Sequence, residues 1–219
     1  MRIPLSPHGS RELVAITLGC ALLGWGLAAL SGWLVLLPAA LWLFGVAFFR
    51  DPERSLPADP GALVAPADGT VADVGEVVGS PLLDEPCLRV GIFLSVFDVH
   101  VNRAPLTGRV AGLRYRPGRF LDARDPAASR ENEAQEILLR GAYPVVVRQI
   151  AGLIARRIVC PLAEGASVGR GERIGMIKFG SRTELLVPLR LKPAALVGVG
   201  DRVRGAATAL VRVDAPDAA

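Results

Sequence analysis

Residues 13–49 carry no charge, a run of 37 positions in a chain of 219. As one helix this stretch would be about 55 Å long, almost twice the apolar thickness of a bilayer. Ser31 and Gly32 interrupt it near the middle. The pattern therefore predicts a helical hairpin, with apolar helices over about 13–30 and 33–49 joined by a tight turn. Each is at the lower limit of spanning length. Pro38 is expected to bend the second helix, a feature that membrane helices tolerate. Trp25, Trp33 and Trp42 serve as interfacial anchors or as lipid-facing bulk. A cleaved secretory signal is the competing reading, since Arg2 and Arg11 give a basic start and residues 28–32 are rich in small side chains. The second apolar segment follows at once, however, which favours a hairpin that either spans the membrane or re-enters on the same side. Arg2 and Arg11 precede it and Arg50 and Arg54 follow it. Positive flanks on both sides put both ends, and all that follows, on the cytoplasmic face of the cell membrane.

Composition agrees with that division. Hydrophobic residues are 51% and charged residues 21%, with a mean hydropathy of +0.40. These values exclude a disordered chain and a disulfide miniprotein. Aromatics are 5% and the net charge is +4, too little for stacked-base platforms or polyanion binding, so no nucleic-acid partner is expected. Cys20, Cys87 and Cys160 are odd in number and far apart, which suits free thiols and gives neither a metal site nor a disulfide framework. Pro52, Pro57 and Pro60 mark a polar connector. The organisation expected is an N-terminal cytoplasmic segment 1–12, the hairpin 13–49, a linker 50–60 and a soluble domain 61–219.

Beyond the linker the pattern changes to short apolar runs between glycines and prolines. Strands are expected over 69–78, 88–96, 109–115, 145–150 and 154–159, with another beginning at 99–101 and closed by Pro105. Only 127–139 hints at a helix or ordered loop. This is a mostly β domain with frequent turns. Residues 165–174 (GASVGRGERI) are weakly echoed by 200–205 (GDRVRG), each reading as a glycine turn, a valine plug and a short strand. These turns, with APADGTV at 65–71, resemble the barrel-sandwich fold of biotinyl and lipoyl domains.

Three places carry groups able to do chemistry. His8 precedes the hairpin, so His100 is the only imidazole in the domain. It lies in FDVHVNRAP (97–105), where strand alternation would put Asp98, His100 and Asn102 on one face. Three polar groups on one face of an apolar strand are costly to bury without partners. Asp68 follows a proline and precedes a glycine, an ordinary turn when taken alone. Gly180-Ser181 ends an apolar run, where glycine permits a peptide conformation closed to other residues and the hydroxyl beside it suits intramolecular attack.

Together, PADGTV (66–71), FDVHVNRAP (97–105) and FGSRTEL (179–185), in this order behind an apolar hairpin, resemble the phosphatidylserine decarboxylase family, and its short branch most closely. RENE (130–133) and the run 165–177 add to the match, which covers about 48–213. The resemblance implies a proenzyme that cuts its own chain between Gly180 and Ser181. The products would be a β chain, 1–180, and an α chain, 181–219, held together and able to pair as a homodimer. It implies that Ser181 becomes a covalent pyruvoyl group, with no metal. That carbonyl would take the amine of phosphatidylserine from the membrane as a Schiff base and serve as the electron sink for loss of CO2. It further implies a catalytic set of Asp68 to orient or polarise, His100 as base and later acid, and Ser181 as nucleophile.

Longer members carry a second histidine three positions after the first, and here that position is Arg103. Its planar fork suits a phosphate or a carboxylate. Arg103 and Asn102 are thus candidates for substrate binding, as are Asn132 and Glu133, which could instead order a loop over the site. Two other readings remain open at this point. Met176-Ile-Lys178 resembles the modified lysine of a biotin carrier, though the second methionine is missing and FDVHVNRAP is left without a role. A non-catalytic membrane scaffold leaves the whole Asp68, His100 and Ser181 set as coincidence.

Overall fold

The computed structural model describes residues 4–153, 157–178 and 180–213. It divides into two compact units, Met1–Glu53 and Arg54–Ala219.

The first unit is a helical hairpin. Helix α1 is Ser10–Ala28, a 3-10 turn follows at Gly32–Val35, and α2 is Leu36–Phe48. The break falls at the Ser31-Gly32 interruption. The second half differs from expectation. Pro38 is the third residue of α2 and so occupies the first helical turn, where its missing N–H has no intrahelical acceptor to lose. It shapes the start of the helix instead of bending its middle. Trp42 Nε1 donates to Thr17 Oγ1 at 3.0 Å across the hairpin, and Gly45 gives α1 room at Ile16. The two ends are zipped together, with Ser6 N–H on the Phe49 carbonyl at 2.9 Å and Asp51 N–H on that of Pro4 at 2.7 Å. Trp25, Leu22 and Leu36 are exposed. Among the described residues one helical stretch, Pro7–Ala28, is long and apolar enough to cross a bilayer; Gly32–Phe48 is shorter.

The second unit is mostly β. In chain order its strands are β1 (Ala62–Val64), β2 (Gly69–Val77), β3 (Cys87–Leu94), β4 (Val101–Arg103), β5 (Gly108–Arg116), β6 (Ala134–Arg140) and β7 (Pro144–Ile150). They continue with β8 (Arg157–Val159), β9 (Ser167–Val168), β10 (Arg173–Lys178), β11 (Ser181–Pro188), β12 (Pro193–Ala195), β13 (Arg202–Val203) and β14 (Ala209–Val213). An eight-stranded antiparallel sheet runs β13-β2-β3-β11-β7-β6-β5-β9, and two small sheets, β1-β14-β12 and β4-β10-β8, complete the unit. Of the strand expected over 154–159, residues 157–159 form β8, and 154–156 lie outside the described residues.

Residues 127–139 correct the sequence reading. A four-residue helix, α3 (Ala128–Glu131), is all the helix present, and the rest is β6. The run AQEILLR favours helix locally, but Ile137 and Leu139 alternate with Glu136, and that period places β6 between β5 and β7.

The faint repeat has a structural meaning. Val168 pairs with Gly108 and Val203 with Gly69, so the two valine plugs form the outermost strands at opposite ends of the large sheet. The strands they flank correspond as well. Gly69-Thr-Val71-Ala72 and Gly108-Arg-Val110-Ala111 open β2 and β5, and each bulges directly after its valine. The sheet is thus two similar halves, β13-β2-β3-β11 and β9-β5-β6-β7, meeting where β11 pairs with β7. One face buries the core, including Val90, Ile92, Ile137, Val147, Leu185 and Val187. By alternation Ser181 and Thr183 lie on that core face, and Arg182 and Glu184 on the other.

Candidate active site

Ser181 opens β11 at the middle of the large sheet, paired with Leu94 of β3. Gly180, just before it, has φ +65°, a left-handed conformation that glycine adopts without steric penalty. Ser181 is 0% exposed, and its hydroxyl has no hydrogen-bond partner among the described residues. A buried hydroxyl left unpaired costs about 1–3 kcal/mol, so it calls for an explanation. The Gly180 carbonyl lies against Gly152, where a Cβ would overlap its oxygen. Phe179 lies outside the described residues.

His100 is fully buried in the extended segment before β4. Its Nδ1 is 2.9 Å from the carbonyl oxygen of Asp98, and its Nε2 is 3.2 Å from the backbone N of Gly180. A carbonyl can only accept and an N–H can only donate. The ring is therefore neutral, with its proton on Nδ1 and a lone pair on Nε2 directed at the Gly180-Ser181 segment. The main chain of Asp98 fixes this tautomer, as a second partner commonly does for a working imidazole.

Asp68 sits in the turn between β1 and β2. Its hydrogen bonds run to Arg54, at 2.6 Å, and to the backbone N–H of Gly205, at 2.7 Å, and not to His100. Burial pushes its carboxyl pKa up, against the pull of Arg54 and the Gly205 N–H; Asp98 adds to the rise and Arg103 opposes it. Asp68 thus joins the linker, the region after β13 and the surroundings of the site by charge. Asp98 does not extend the imidazole face as alternation suggested. Its carboxylate caps its own turn through Ser95 N–H at 2.8 Å and Ser95 Oγ at 2.7 Å, and takes Arg202 at 2.7 Å. Asp98 and His100 precede β4, so strand alternation does not govern them.

The four other candidates lie close by in different roles. Asn102 Nδ2 donates to Thr183 Oγ1 at 3.0 Å and its Oδ1 accepts from Gln149 Nε2 at 2.8 Å, a buried amide chain beside the serine strand. Gln149 Oε1 is buried without a partner among the described residues. Arg103 is buried and donates through Nη1 to the Gly171 carbonyl at 3.1 Å. The Asn132 amide holds the Leu121 N–H and carbonyl and the Ala151 carbonyl, at 2.8, 2.9 and 2.8 Å, so it pins the 117–126 loop beside Gly152. Glu133 continues that attachment through its main chain, to Arg119 and Ala151.

Sequence reasoning missed Arg54, Gly152, Gln149 and Thr183. Only Thr183 had a usable signal, two positions from Ser181 on one strand face. Lys178 is buried and paired with Arg157 in the β10–β8 ladder, whereas a carrier lysine must be presented to its modifying enzyme. Among the described residues no group of three or more His, Cys, Asp or Glu side chains is gathered to hold a metal.

Comparison with known proteins bears on the same residues. The sequence profile of the phosphatidylserine decarboxylase family matches residues 41–211. A phosphatidylserine decarboxylase proenzyme of Syntrophus aciditrophicus is 47% identical over 176 residues, covering 80% of this chain and 82% of its own. That of Pelobacter propionicus is 44% identical over 205 residues, covering 92% and 89%. That of Nitrosomonas europaea is 42% identical over 217 residues, covering 96% and 98%. Matches of this length and identity run through the aspartate turn, the histidine segment and the glycine-serine junction alike, and on them the chain belongs to the phosphatidylserine decarboxylase family of enzymes.

Proposed function

We propose that this chain decarboxylates phosphatidylserine to phosphatidylethanolamine and CO2, using a pyruvoyl group that it makes from Ser181 by cutting itself between Gly180 and Ser181. One observation carries the reading: the Ser181 hydroxyl is fully buried without a partner, directly after a left-handed glycine whose N–H rests on the imidazole. The proenzyme names of the relatives support the processing step.

The cut follows from these groups. His100 Nε2 exchanges the Gly180 N–H for the Ser181 hydroxyl proton. Oγ attacks the Gly180 carbonyl carbon, His100 Nε2 passes the proton to the Ser181 nitrogen as the C–N bond breaks, and the acyl group moves from nitrogen to oxygen. Removal of the Ser181 Cα proton then expels the Gly180 carboxylate and leaves dehydroalanine. Water enters and ammonia leaves, which gives the α chain a ketone terminus. The Asp98 carbonyl holds the Nδ1 proton throughout, so one nitrogen of the ring stays committed to proton transfer.

A buried terminus facing a single imidazole, with no titratable side chain bonded to Ser181, suits a small uncharged carbonyl. When present, that group supplies an electron sink for the carboxylate's bonding pair. His100 Nε2 is then the acid that returns a proton to the substrate carbon. Arg103 complements the phosphate and carboxylate of the headgroup, Asn102 lines the serine strand, and Asn132 and Glu133 hold the loop beside Gly152. The exposed apolar helix α1 keeps the enzyme at the cytoplasmic face of the cell membrane, where its lipid substrate resides.

Intact mass of the detergent-purified chain tests the reading. The expected result is two fragments, 1–180 and 181–219, the latter blocked to Edman degradation. A single unmodified chain from an active preparation overturns it. A single chain bearing an added biotin or lipoyl mass favours the carrier reading.

A further inference from the structure

The face of the large sheet opposite Ser181 carries a chain of charges, buried at Arg182, Glu184, Arg148 and Glu136 and half-buried at its Asp73–Arg89 end. Arg182 follows the serine and is 1% exposed. Its Nε donates to Glu184 at 2.7 Å, and its Nη2 pairs with Asp73 of β2. Asp73 also takes Arg89 of β3 at 2.8 Å. Glu184 takes Arg148 of β7 at 3.0 Å, and Arg148 donates to Glu136 of β6 at 2.8 Å. Ser80 closes the row on Glu136 at 3.3 Å. Five neighbouring strands are thus tied laterally by three arginines and three carboxylates. On β3, Gly91 makes space for the central guanidinium, since a Cβ there would overlap Arg182 Nη2.

Buried ion pairs of this kind rarely stabilise more than apolar packing of similar volume would, and one use that offsets their desolvation is the fixing of a unique arrangement. Here the arrangement at stake is the start of β11. Ser181 pairs with β3, while the pairing of β11 with β7 begins only at Arg182. Once the peptide before Ser181 is cut, residue 181 is a chain end that can fray. The side chain nearest to that end is Arg182, on the sheet face away from the reaction. We infer that the arginine–carboxylate row is a clamp for the severed strand, with Arg182 as the positioning residue that keeps the new terminal carbonyl in place for turnover. The inference rests on the self-cleavage reading.

Two variants of the full detergent-purified chain test it. Arg182→Gln removes the guanidinium, and Gly91→Ala displaces it while leaving every charge present. Both are expected to cut themselves to completion. Turnover per carbonyl, with the carbonyl titrated by a hydrazine reagent, is expected to fall about 100-fold in kcat, the scale of roughly 1 Å of misplacement at a reacting group. KM for phosphatidylserine in mixed micelles is expected to stay as in the wild type. The loss in Tm is expected to be larger in the cut chains than for the same changes in an uncut Ser181→Ala background. Wild-type kcat per carbonyl, or equal losses of Tm cut and uncut, overturns the clamp. Failure of both variants to cut places Arg182 before the cleavage step and also overturns it. If neither variant folds, hydrogen exchange decides: amides 183–186 keep in the cut wild type the protection they have in Ser181→Ala, and its loss overturns the clamp. A wild-type chain that stays uncut removes the reading of Ser181 itself, whereas failure confined to the variants leaves that reading intact.

Discussion

At the scale of single residues, the site is a small set of groups with unequal partners. Among the described residues the Ser181 hydroxyl has none, the His100 ring meets the Asp98 carbonyl at Nδ1 and the Gly180 N–H at Nε2, and Asp68 is held on both oxygens. Ser181→Ala should therefore fold and stay in one piece, since the change removes only an unsatisfied group; a cut chain in this variant, seen on a denaturing gel, refutes the serine as nucleophile. His100→Ala should lower decarboxylation by about 10²–10⁴-fold, the usual worth of a positioned acid–base group. Asp68 gives a pH prediction. Its carboxyl takes a proton at higher pH in the folded chain than in the unfolded one, mainly through burial. The stability it contributes is thus complete below the ordinary carboxylate value of 3.8 and is lost as pH rises through the raised folded value. Arg54 opposes that rise, so Arg54→Met should move the Asp68 titration further up. The acid limb of the pH–rate profile, if it reports Asp68, should shift to higher pH; an unmoved limb separates Asp68 from activity.

At the scale of elements, what the sequence made legible depended on whether the cause was local. Strands β2, β3, β5 and β7 follow from apolar runs bounded by turn residues, and each lies within two residues of its expected place. The helix break at Ser31-Gly32 is local too. Strand β6 was not legible, because AQEILLR takes its conformation from β5 and β7 and not from its own propensity. The same distinction holds in the site. Asp68, His100 and Ser181 stand out as rare groups in recognisable motifs, but that His100 leans on the Asp98 main chain could not be read from spacing. Gly152 is the extreme case, since its meaning lies wholly in the Gly180 carbonyl that packs on it from 28 positions away. Gly152→Ala should push that carbonyl out of place and slow self-cutting, measured as the half-time for appearance of the 181–219 fragment; cutting at the wild-type rate would show that the carbonyl has freedom to move.

At the scale of the whole molecule, the two units dispose of their apolar residues differently. The exposed face of α1 is apolar, with Leu18 and Leu22 61% and 71% exposed, while the second unit buries its apolar residues in a sheet core. Leu18→Lys with Leu22→Lys in the full chain should release the protein from membranes at a carbonate wash, with self-cutting unimpaired. Retention on the membrane would show that the attachment lies elsewhere. The order of strands also sets a sequence in time. In one half of the large sheet, β6 and β7 are joined by a short turn and form as a hairpin, whereas their counterparts β3 and β11 are brought together from far apart in the chain. The strand that begins with Ser181 therefore enters the middle of a sheet whose other central members are all made before it. Such distant pairing forms late in folding. On the self-cleavage proposed above, the chain carries its own clock: the bond before Ser181 is broken only after β11 has been seated between β3 and β7, so the middle of the sheet is closed before the protein becomes two.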